Sequence, residues 1–416
     1  LEALESRALL TATPTIEIAR DRASPGFTFE FAGSADPFAT VQVNQVGGAA
    51  AGQTTANAAG DWQLTYAGAQ LAQGEFRFRA IAADALGELS APSTDAIYRP
   101  NFVLVNADDM AARDLAYMPL VNQLLVGSGT TFTNSFTPTS VSGPSRAALL
   151  TGQYAHTNGV FEAFAPLGGA VNLNATSTFA TWLHDAGYRT AMYGKNETSP
   201  DNVESSRPHV PPPGWDEFSA FAGFVQYKDG VQIPVPYKFD VDSTAVWQDL
   251  AERFVEENGG DDSPFLLYLA PTVSHRPYVP RAEFLGTMDG VQPWRPPSYN
   301  LPPPYLTGLN VKPHINNWDM QRRRHLEALQ SIDQAVGGIY QSLVDAGELD
   351  NTVFVFTGDN GLMWGEHAMF SNKDNFFEES LRVALVVRDG RMPLAQVVSQ
   401  PALNIDIAPT FASLAG

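Results

Sequence analysis

The sequence predicts two folds in tandem: a small all-β sandwich, then an α/β domain with a central, mainly parallel sheet flanked by helices. Three observations carry this prediction. Residues 13–98 hold short alternating segments separated by Gly, Ala, Asn and Asp clusters, as brief half-buried strands and their turns require. From Asn101 onward, continuous apolar runs alternate with helical stretches, the pattern of sheet strands covered on both faces. A chain of 416 residues, 44% hydrophobic and only 17% charged, has the composition of two or three globular domains and not of a disordered chain.

In the first region the strand-like segments are 15–18, 28–31, 40–43, 62–66 and 75–82. Within it, GDWQLT at 60–65, followed by GEFR at 74–77 and DALGELS at 84–90, resembles bacterial immunoglobulin-like repeats of cell-surface proteins. In the second region, 99–416, strands are expected at 101–107, 189–193, 264–270, 352–357 and 383–387. Helices are expected at 147–151, 178–186, 325–346 and 405–415, several of them ended by Gly152, Gly187 or Gly347. Pro-rich stretches at 211–213 and 293–304 read as loops. Residues 1–12 read as a leader-like segment without the basic n-region or apolar core of an intact signal peptide.

Composition excludes several classes of function. Forty-five acids against 25 bases leave a net charge of −20, which argues against a nucleic-acid surface, because phosphate backbones need clustered Lys and Arg. No apolar run approaches the ~20 residues needed to span a bilayer. The absence of cysteine excludes disulfides, thiolate zinc sites and an encoded cysteine nucleophile.

The position of the polar residues points to chemistry. Asp108-Asp109, Lys195, His275 and Asp359-Asn360 follow four predicted strands, and in open α/β sheets ligands sit outside the carboxyl ends of strands. Asp108, Asp109, Asp359 and Asn360 offer hard oxygen ligands and no nitrogen or sulfur, which suits Ca²⁺ or Mg²⁺. Either pair alone would serve to cap a following helix; together, at equivalent strand ends, they point to a cation. Ser142-Gly143-Pro144-Ser145-Arg146 precedes a helical stretch, so Ser142 lies near a helix N-terminus, a favourable place for a tetrahedral anion.

SGPSRAALLTG at 142–152 resembles the sulfatase signature Cys/Ser-x-Pro-Ser-Arg-x-x-x-Leu-Thr-Gly. Further segments agree in order: NFVLVNADD at 101–109, MYGK at 192–195, PFLLYLAPTVSHRP at 264–277, VFTGDNG at 355–361, GEHAMFSNKDNFFEESLRVALVVR at 365–388 and NIDIAPTFASLAG at 404–416. PPPGWDEF at 211–218 and the GEH…K…EES run look most like the polysaccharide branch that contains glucosamine-6-sulfatases.

The resemblance implies an alkaline-phosphatase-like α/β sandwich and a sulfuric ester hydrolase acting on a sulfated carbohydrate. By position, Ser142 matches the residue oxidised to formylglycine, whose hydrated gem-diol attacks sulfur, and Asp108, Asp109, Asp359 and Asn360 match the Ca²⁺ ligands. Arg146 matches the arginine that holds the formylglycine. Lys195, His275 and Lys373 match residues that contact sulfate or protonate the leaving oxygen, and His367 is placed at the rim. The implied partners are the sulfated substrate and a formylglycine-generating maturation enzyme, with no nucleic acid and no membrane span. LEALESRALL at 1–10 resembles a motif near the start of many exported bacterial proteins, implying a secreted, periplasmic or cell-surface location.

The chain departs from the family pattern in four places. Serine replaces the commoner cysteine at 142, which implies a serine-type sulfatase matured by an anaerobic-type system, an engineered Cys→Ser form or an unmodified relative. Asn196 and Glu197 stand where many sulfatases have a histidine. Ala384 replaces the usual proline. The family also continues past 404–416 into a C-terminal subdomain that is expected to be missing. Two alternatives keep part of the pattern: a phosphate or phosphonate ester hydrolase of the same superfamily, and a non-catalytic pseudoenzyme that binds sulfated glycans.

Overall fold

Short alternating segments form strands because each can bury one face only when paired with another sheet. In the structure, a computed structural model, the described residues of the first unit contain seven: β1 (Glu17–Arg20), β2 (Thr28–Ser34), β3 (Thr40–Gln45), β4 (Ala50–Thr55), β5 (Asp61–Ala67), β6 (Arg77–Ala83) and β7 (Ala96–Ile97). They pair in two antiparallel sheets, β1-β2-β5 and β4-β3-β6-β7. Phe29 and Phe31 of the first sheet meet Phe78 of the second at ring-centroid distances of 5.5 and 4.8 Å. The structure describes residues 12–20, 28–67, 76–169, 171–195, 211–220, 225–234, 243–261, 263–303, 318–391 and 394–416. Residues 1–11 of the leader-like segment and the positions Asn196 and Glu197 lie outside the described residues.

The chain divides into two units, one of residues up to Pro100 with Ser413–Gly416, the other Asn101–Ala412. The second unit is built on a ten-stranded sheet. Its strands are β8 (Asn101–Ala107), β9 (Thr130–Phe132), β10 (Arg189–Gly194), β11 (Glu217–Ala220), β12 (Val225–Lys228), β13 (Val231–Pro234), β14 (Phe265–Ala270), β15 (Thr352–Gly358), β16 (Leu385–Asp389) and β17 (Gln396–Val398). They lie in the order β13-β12-β11-β10-β14-β8-β15-β16-β9-β17. The run from β11 to β15 is parallel, and β12, β13 and β16 are antiparallel to their neighbours.

Helices cover both faces because the central strands are apolar on both. Val103, Val105 and Ala107 of β8 share one core with Trp247, Leu250 and Phe254 of α3 (Ser243–Asn258). The same core takes in Leu329, Ile332 and Ile339 of α4 (Trp318–Asp345). On the opposite face Phe102 stacks on Phe411 at 4.3 Å. Phe179, the first residue of α2 (Phe179–Asp185), packs on Tyr268 of β14 at 6.0 Å. Truncating one of these core side chains, such as Leu329, costs about 2–5 kcal/mol. Among the described residues no helix is long and apolar enough to cross a membrane.

Several boundaries differ from the sequence reading by one to three residues, and two helix starts differ by more. The helix expected at 147–151 is α1, Ser142–Thr151, and starts at Ser142 itself. Pro144 lies within its first turn, where the lost N–H has no intrahelical partner to miss. α4 begins at Trp318 and not at 325; its first turns carry the Arg322-Arg323-Arg324 run, whose polarity hides the apolar period.

Candidate active site

Parallel pairing of β10, β14, β8 and β15 puts four carboxyl ends side by side. Asp108 and Asp109 leave β8, Lys195 leaves β10, Asp359 and Asn360 leave β15, and Ser274-His275 follow β14. The turn out of β10 needs glycine: Gly194 has φ +111, and a Cβ there would meet the Ala270 carbonyl oxygen at 2.2 Å. That close approach seats Lys195, whose N–H bonds Ala270 O at 2.7 Å.

Carboxylate oxygens of Asp108, Asp109 and Asp359 lie within 4.8 Å of one another, and all three residues are buried. Asn360 donates its amide nitrogen to Asp109 Oδ1 at 2.8 Å and to Gly361 O at 3.0 Å. Its carbonyl oxygen is thereby turned toward Ser142, whose hydroxyl lies 3.2 Å from it. Three carboxylates and an oriented amide oxygen form an all-oxygen set that fits a hard divalent cation.

Ser142, at the first position of α1, is 7% exposed. Its Oγ is 3.2 Å from Asp108 Oδ1 and accepts from Lys373 Nζ at 2.9 Å. These partners include no imidazole that would act as a base. Lys373 also contacts Asp109 Oδ1, and Lys195 Nζ reaches Asp108 Oδ2 at 2.7 Å. Arg146, 1% exposed, donates Nε to Asp359 Oδ2 at 3.0 Å and Nη1 to the Lys195 carbonyl at 2.9 Å. Its Nη2 is buried without a hydrogen-bond partner, 3.8 Å from Asp108.

The charges of the cluster act on one another in opposite directions. Burial raises the Asp108 carboxyl, but Lys195, Arg146 and Lys373 outweigh it and hold it well below the usual range. At Asp359, burial and the neighbouring Asp108 prevail, and its carboxyl is pushed up. Burial works against the Lys373 ammonium, yet Asp109, Asp108 and Asp359 hold it above its ordinary value. Lys373 is therefore held as an ammonium that offers positive charge and hydrogen bonds and gives up its proton with difficulty.

His275 is more loosely placed. Its Nδ1 faces the Arg276 carbonyl at 3.0 Å and its Nε2 lies 3.9 Å from Asp109 Oδ2, with the side chain 42% exposed. His367 stands apart from this cluster: it stacks on Phe377 at 3.9 Å, with Nε2 3.5 Å from Glu379. Asp109, His367, Ala368, Ser371 and Asp374 all have φ between +46 and +63. Such left-handed residues persist where surrounding contacts over-determine them, as at ligand sites.

Sequence reasoning misses the supports of this cluster. Ser145 Oγ donates to the Asp359 carbonyl, and Asn404 Nδ2 bonds both Ser145 O and Ser145 Oγ at 3.0 Å. Ser140 Oγ accepts from Asn375 N at 2.9 Å, two residues from Lys373. Ser145 and Asn404 lie within the sulfatase-like segments 142–152 and 404–416, and a polar residue inside such a segment is a signal that could have found them. Ser140 carries no sequence signal.

Comparison with known proteins places this geometry in a family. The extracellular sulfatase SULF-1 homolog of Drosophila melanogaster is 29% identical over 348 residues, covering 76% of this chain and 30% of the relative. An N-acetylglucosamine-6-O-sulfatase of Bacteroides thetaiotaomicron is 24% identical, covering 81% of this chain and 71% of the relative. The chain thus spans less than half of the first relative and a larger share of the second. A solved structure in complex with its substrate D-glucosamine-2-N,6-O-disulfate superposes with a TM-score of 0.62 at 23% identity, covering 77% of each chain. The phosphonate monoester hydrolase of Agrobacterium radiobacter gives 0.58 at 22% identity, covering 76% of this chain and 74% of that one. These likenesses show a shared α/β fold. The sulfatase family model matches residues 100–416, and the chain belongs to the sulfatase family.

Proposed function

We propose that this protein hydrolyses sulfate esters of a carbohydrate, with Ser142 matured to formylglycine and Ca²⁺ held by Asp108, Asp109, Asp359 and Asn360. One observation carries the reading. Ser142 is buried with its hydroxyl on Asp108, Asn360 and Lys373; the Asp108 carboxylate is held well below its usual range and is a poor base, and these partners include no imidazole. An ordinary serine nucleophile needs a base within hydrogen-bond reach. The hydrated aldehyde of formylglycine supplies a nucleophilic oxygen and, in its second hydroxyl, a route for shedding sulfate that plain serine lacks. A bound Ca²⁺ supplies positive charge against the sulfuryl oxygens.

The chain's own residues do the remaining work. Arg146, pinned to Asp359, turns its unpartnered Nη2 toward the site and orients the side chain at 142. Lys195 and Lys373 offer ammonium donors for the charge that develops on sulfate oxygens. His275 protonates the leaving sugar oxygen; its exposed imidazole beside Asp109 supports this role. His367 marks the rim on the side of Phe377. A net charge of −20 repels polyanions at long range, which favours short or chain-end substrates; fast turnover of long sulfated polymers with none on oligosaccharides would overturn that preference.

Two further readings belong to the same proposal. Residues 13–98 form an immunoglobulin-like module; the order β1-β2-β5 facing β4-β3-β6-β7 supports this. The protein is exported, as its similarity to extracellular sulfatase homologs of Drosophila melanogaster and Caenorhabditis elegans supports, and meets its maturation enzyme on the way.

The test is mass spectrometry of the tryptic peptide 114–146 from protein made in its native source, with paired assays on sulfate and phosphate esters. A peptide lighter by two hydrogens and reactive toward an aldehyde probe, with turnover of sulfate esters, is the expected result. An unmodified serine with glycan binding and no turnover overturns the proposal in favour of a pseudoenzyme. Preferential turnover of phosphate or phosphonate esters overturns the substrate class.

A further inference from the structure

α4 buries Leu326, Ala328, Leu329, Ile332 and Val336 fully in the core, alongside the polar Arg322, Glu327, Ser331 and Asp333. Among them is His325, also 0% exposed, held between Tyr278 and Trp364 at ring distances of 5.6 and 5.4 Å. Burying an imidazole in such a place is costly unless its nitrogens are used. Its Nδ1 is 2.9 Å from the Ser274 carbonyl, and a carbonyl only accepts, so Nδ1 carries the proton. Nε2 then faces the Asp114 carboxylate at 3.7 Å. Asp114 is itself 0% exposed, and neither of its oxygens has a hydrogen-bond partner.

Ser274 links this core pair to the site. Its side chain is fully buried, and its hydroxyl donates to the main-chain carbonyl of Asp108 at 2.6 Å. The next residue is His275, whose turn is closed by His275 N to Thr272 O at 2.8 Å and Tyr278 N to His275 O at 3.1 Å. One serine therefore touches the backbone of a carboxylate in the oxygen cluster and directly precedes the imidazole that faces the substrate side.

We propose that His325 is a positioning residue: with Nδ1 on the Ser274 carbonyl, it fixes through Ser274 both the Asp108 end of the cation cradle and the turn that carries His275. This role rests on the proposed sulfatase chemistry and on Ca²⁺ in the oxygen cluster. Outer partners of metal ligands orient them, and losing one costs about 10–100-fold in metal affinity or activity. Asparagine at 325 keeps a donor near the Nδ1 position, whereas phenylalanine fills the space without one.

The experiment measures the Ca²⁺ dissociation constant by isothermal titration calorimetry, together with kcat and KM on a sulfate ester. It compares wild type, His325→Phe, His325→Asn and Ser274→Ala. His325→Phe is expected to weaken Ca²⁺ binding about 10–100-fold and to lower kcat more than it raises KM. His325→Asn should recover most of both losses, and Ser274→Ala should reproduce the Ca²⁺ loss. If His325→Phe fails to fold, Ser274→Ala carries the test alone, since it removes one hydroxyl and little volume. Wild-type Ca²⁺ affinity and kcat in His325→Phe would overturn the proposal. So would equal damage in both His325 variants with a silent Ser274→Ala, which would mark a packing role. A wild-type protein that neither binds Ca²⁺ nor cleaves sulfate esters would instead overturn the proposed function, and the role of His325 with it.

Discussion

Strand β10 begins at Arg189 and runs into Lys195, and the charge clusters around these two residues are physically opposite. At the amino end Arg189 contacts Asp216, Glu217 and Asp229, while Lys228 contacts Glu217 and Glu257. Of these, Arg189, Asp216, Lys228, Asp229 and Glu257 line an open cleft with His184 and Asp261, while Glu217 is buried. Arg189 and Lys228 are 27% and 32% exposed, and Asp229 and Glu257 more than half. At the carboxyl end Asp108, Asp109, Asp359 and Arg146 are all at most 4% exposed, and Arg146 Nη2 has no partner. Ion pairs in water contribute little and rearrange freely. Charges taken out of water are held only by one another, so removing one leaves the others uncompensated. Clustered charge alone therefore does not mark a site; buried charge with an unused donor does.

The largest expected effect tests this contrast directly. Lys373→Ala or Asp359→Asn should lower kcat on a sulfate ester about 10²–10³-fold. By contrast, Arg189→Ala or Lys228→Ala should leave kcat within about twofold and change unfolding free energy by about 0–1 kcal/mol. Similar kinetic losses at the two ends would break the comparison. Substitution at residue 142 sharpens it further. Ser142→Ala should abolish turnover while Ca²⁺ binding by calorimetry persists, because the oxygen cluster is untouched. Ser142→Cys should restore activity only in a host that matures cysteine-type sites; activity in a host lacking any maturation would exclude the modified nucleophile.

The carboxyl-end cluster is largely legible in the sequence, and the amino-end cluster is not. Strands β8 and β15 are unbroken apolar runs, and a continuous run ending in Asp-Asp or Asp-Asn marks where a buried strand reaches polar surroundings. Lys195 and the helix-starting Ser142 fall out of the same logic. The short edge strands β11 to β13 escape sequence reasoning, because EFSA, VQYK and VQIP carry too few apolar residues to show a period. β4, with the sequence AAGQTT, is hidden for the same reason. The motif around His367 suggests a rim position, and the structure shows why spacing could not settle it: two successive positive-φ residues, His367 and Ala368, turn the chain in a way no periodicity encodes. His325 is invisible because a histidine on an apolar helix face looks like any other core residue until its hydrogen-bond partner is known.

The smallest expected effect isolates burial from charge pairing. Asp333 of α4 is 3% exposed and accepts from Leu120 N at 2.9 Å and Val121 N at 2.8 Å, in the first turn of the helix Pro119–Leu124. Burial raises its carboxyl above 3.8, and the two backbone bonds offset this only in part. Asp108 is buried as well, yet its cations carry it the other way. A raised folded-state value means that the folded protein keeps a proton which the unfolded chain has already released. The resulting stabilisation is complete below pH 3.8 and is lost as pH climbs through the folded value. Asp333→Asn keeps an acceptor for the helix and cannot ionise. In urea unfolding at stepped pH from about 4 to 7, the stability difference should therefore shift in favour of the variant as pH rises. A difference that shifts toward wild type would mean that the helix amides, and not burial, dominate this carboxyl. Exclusion from water would then be too weak a force here to account for the contrast between the two ends of the sheet.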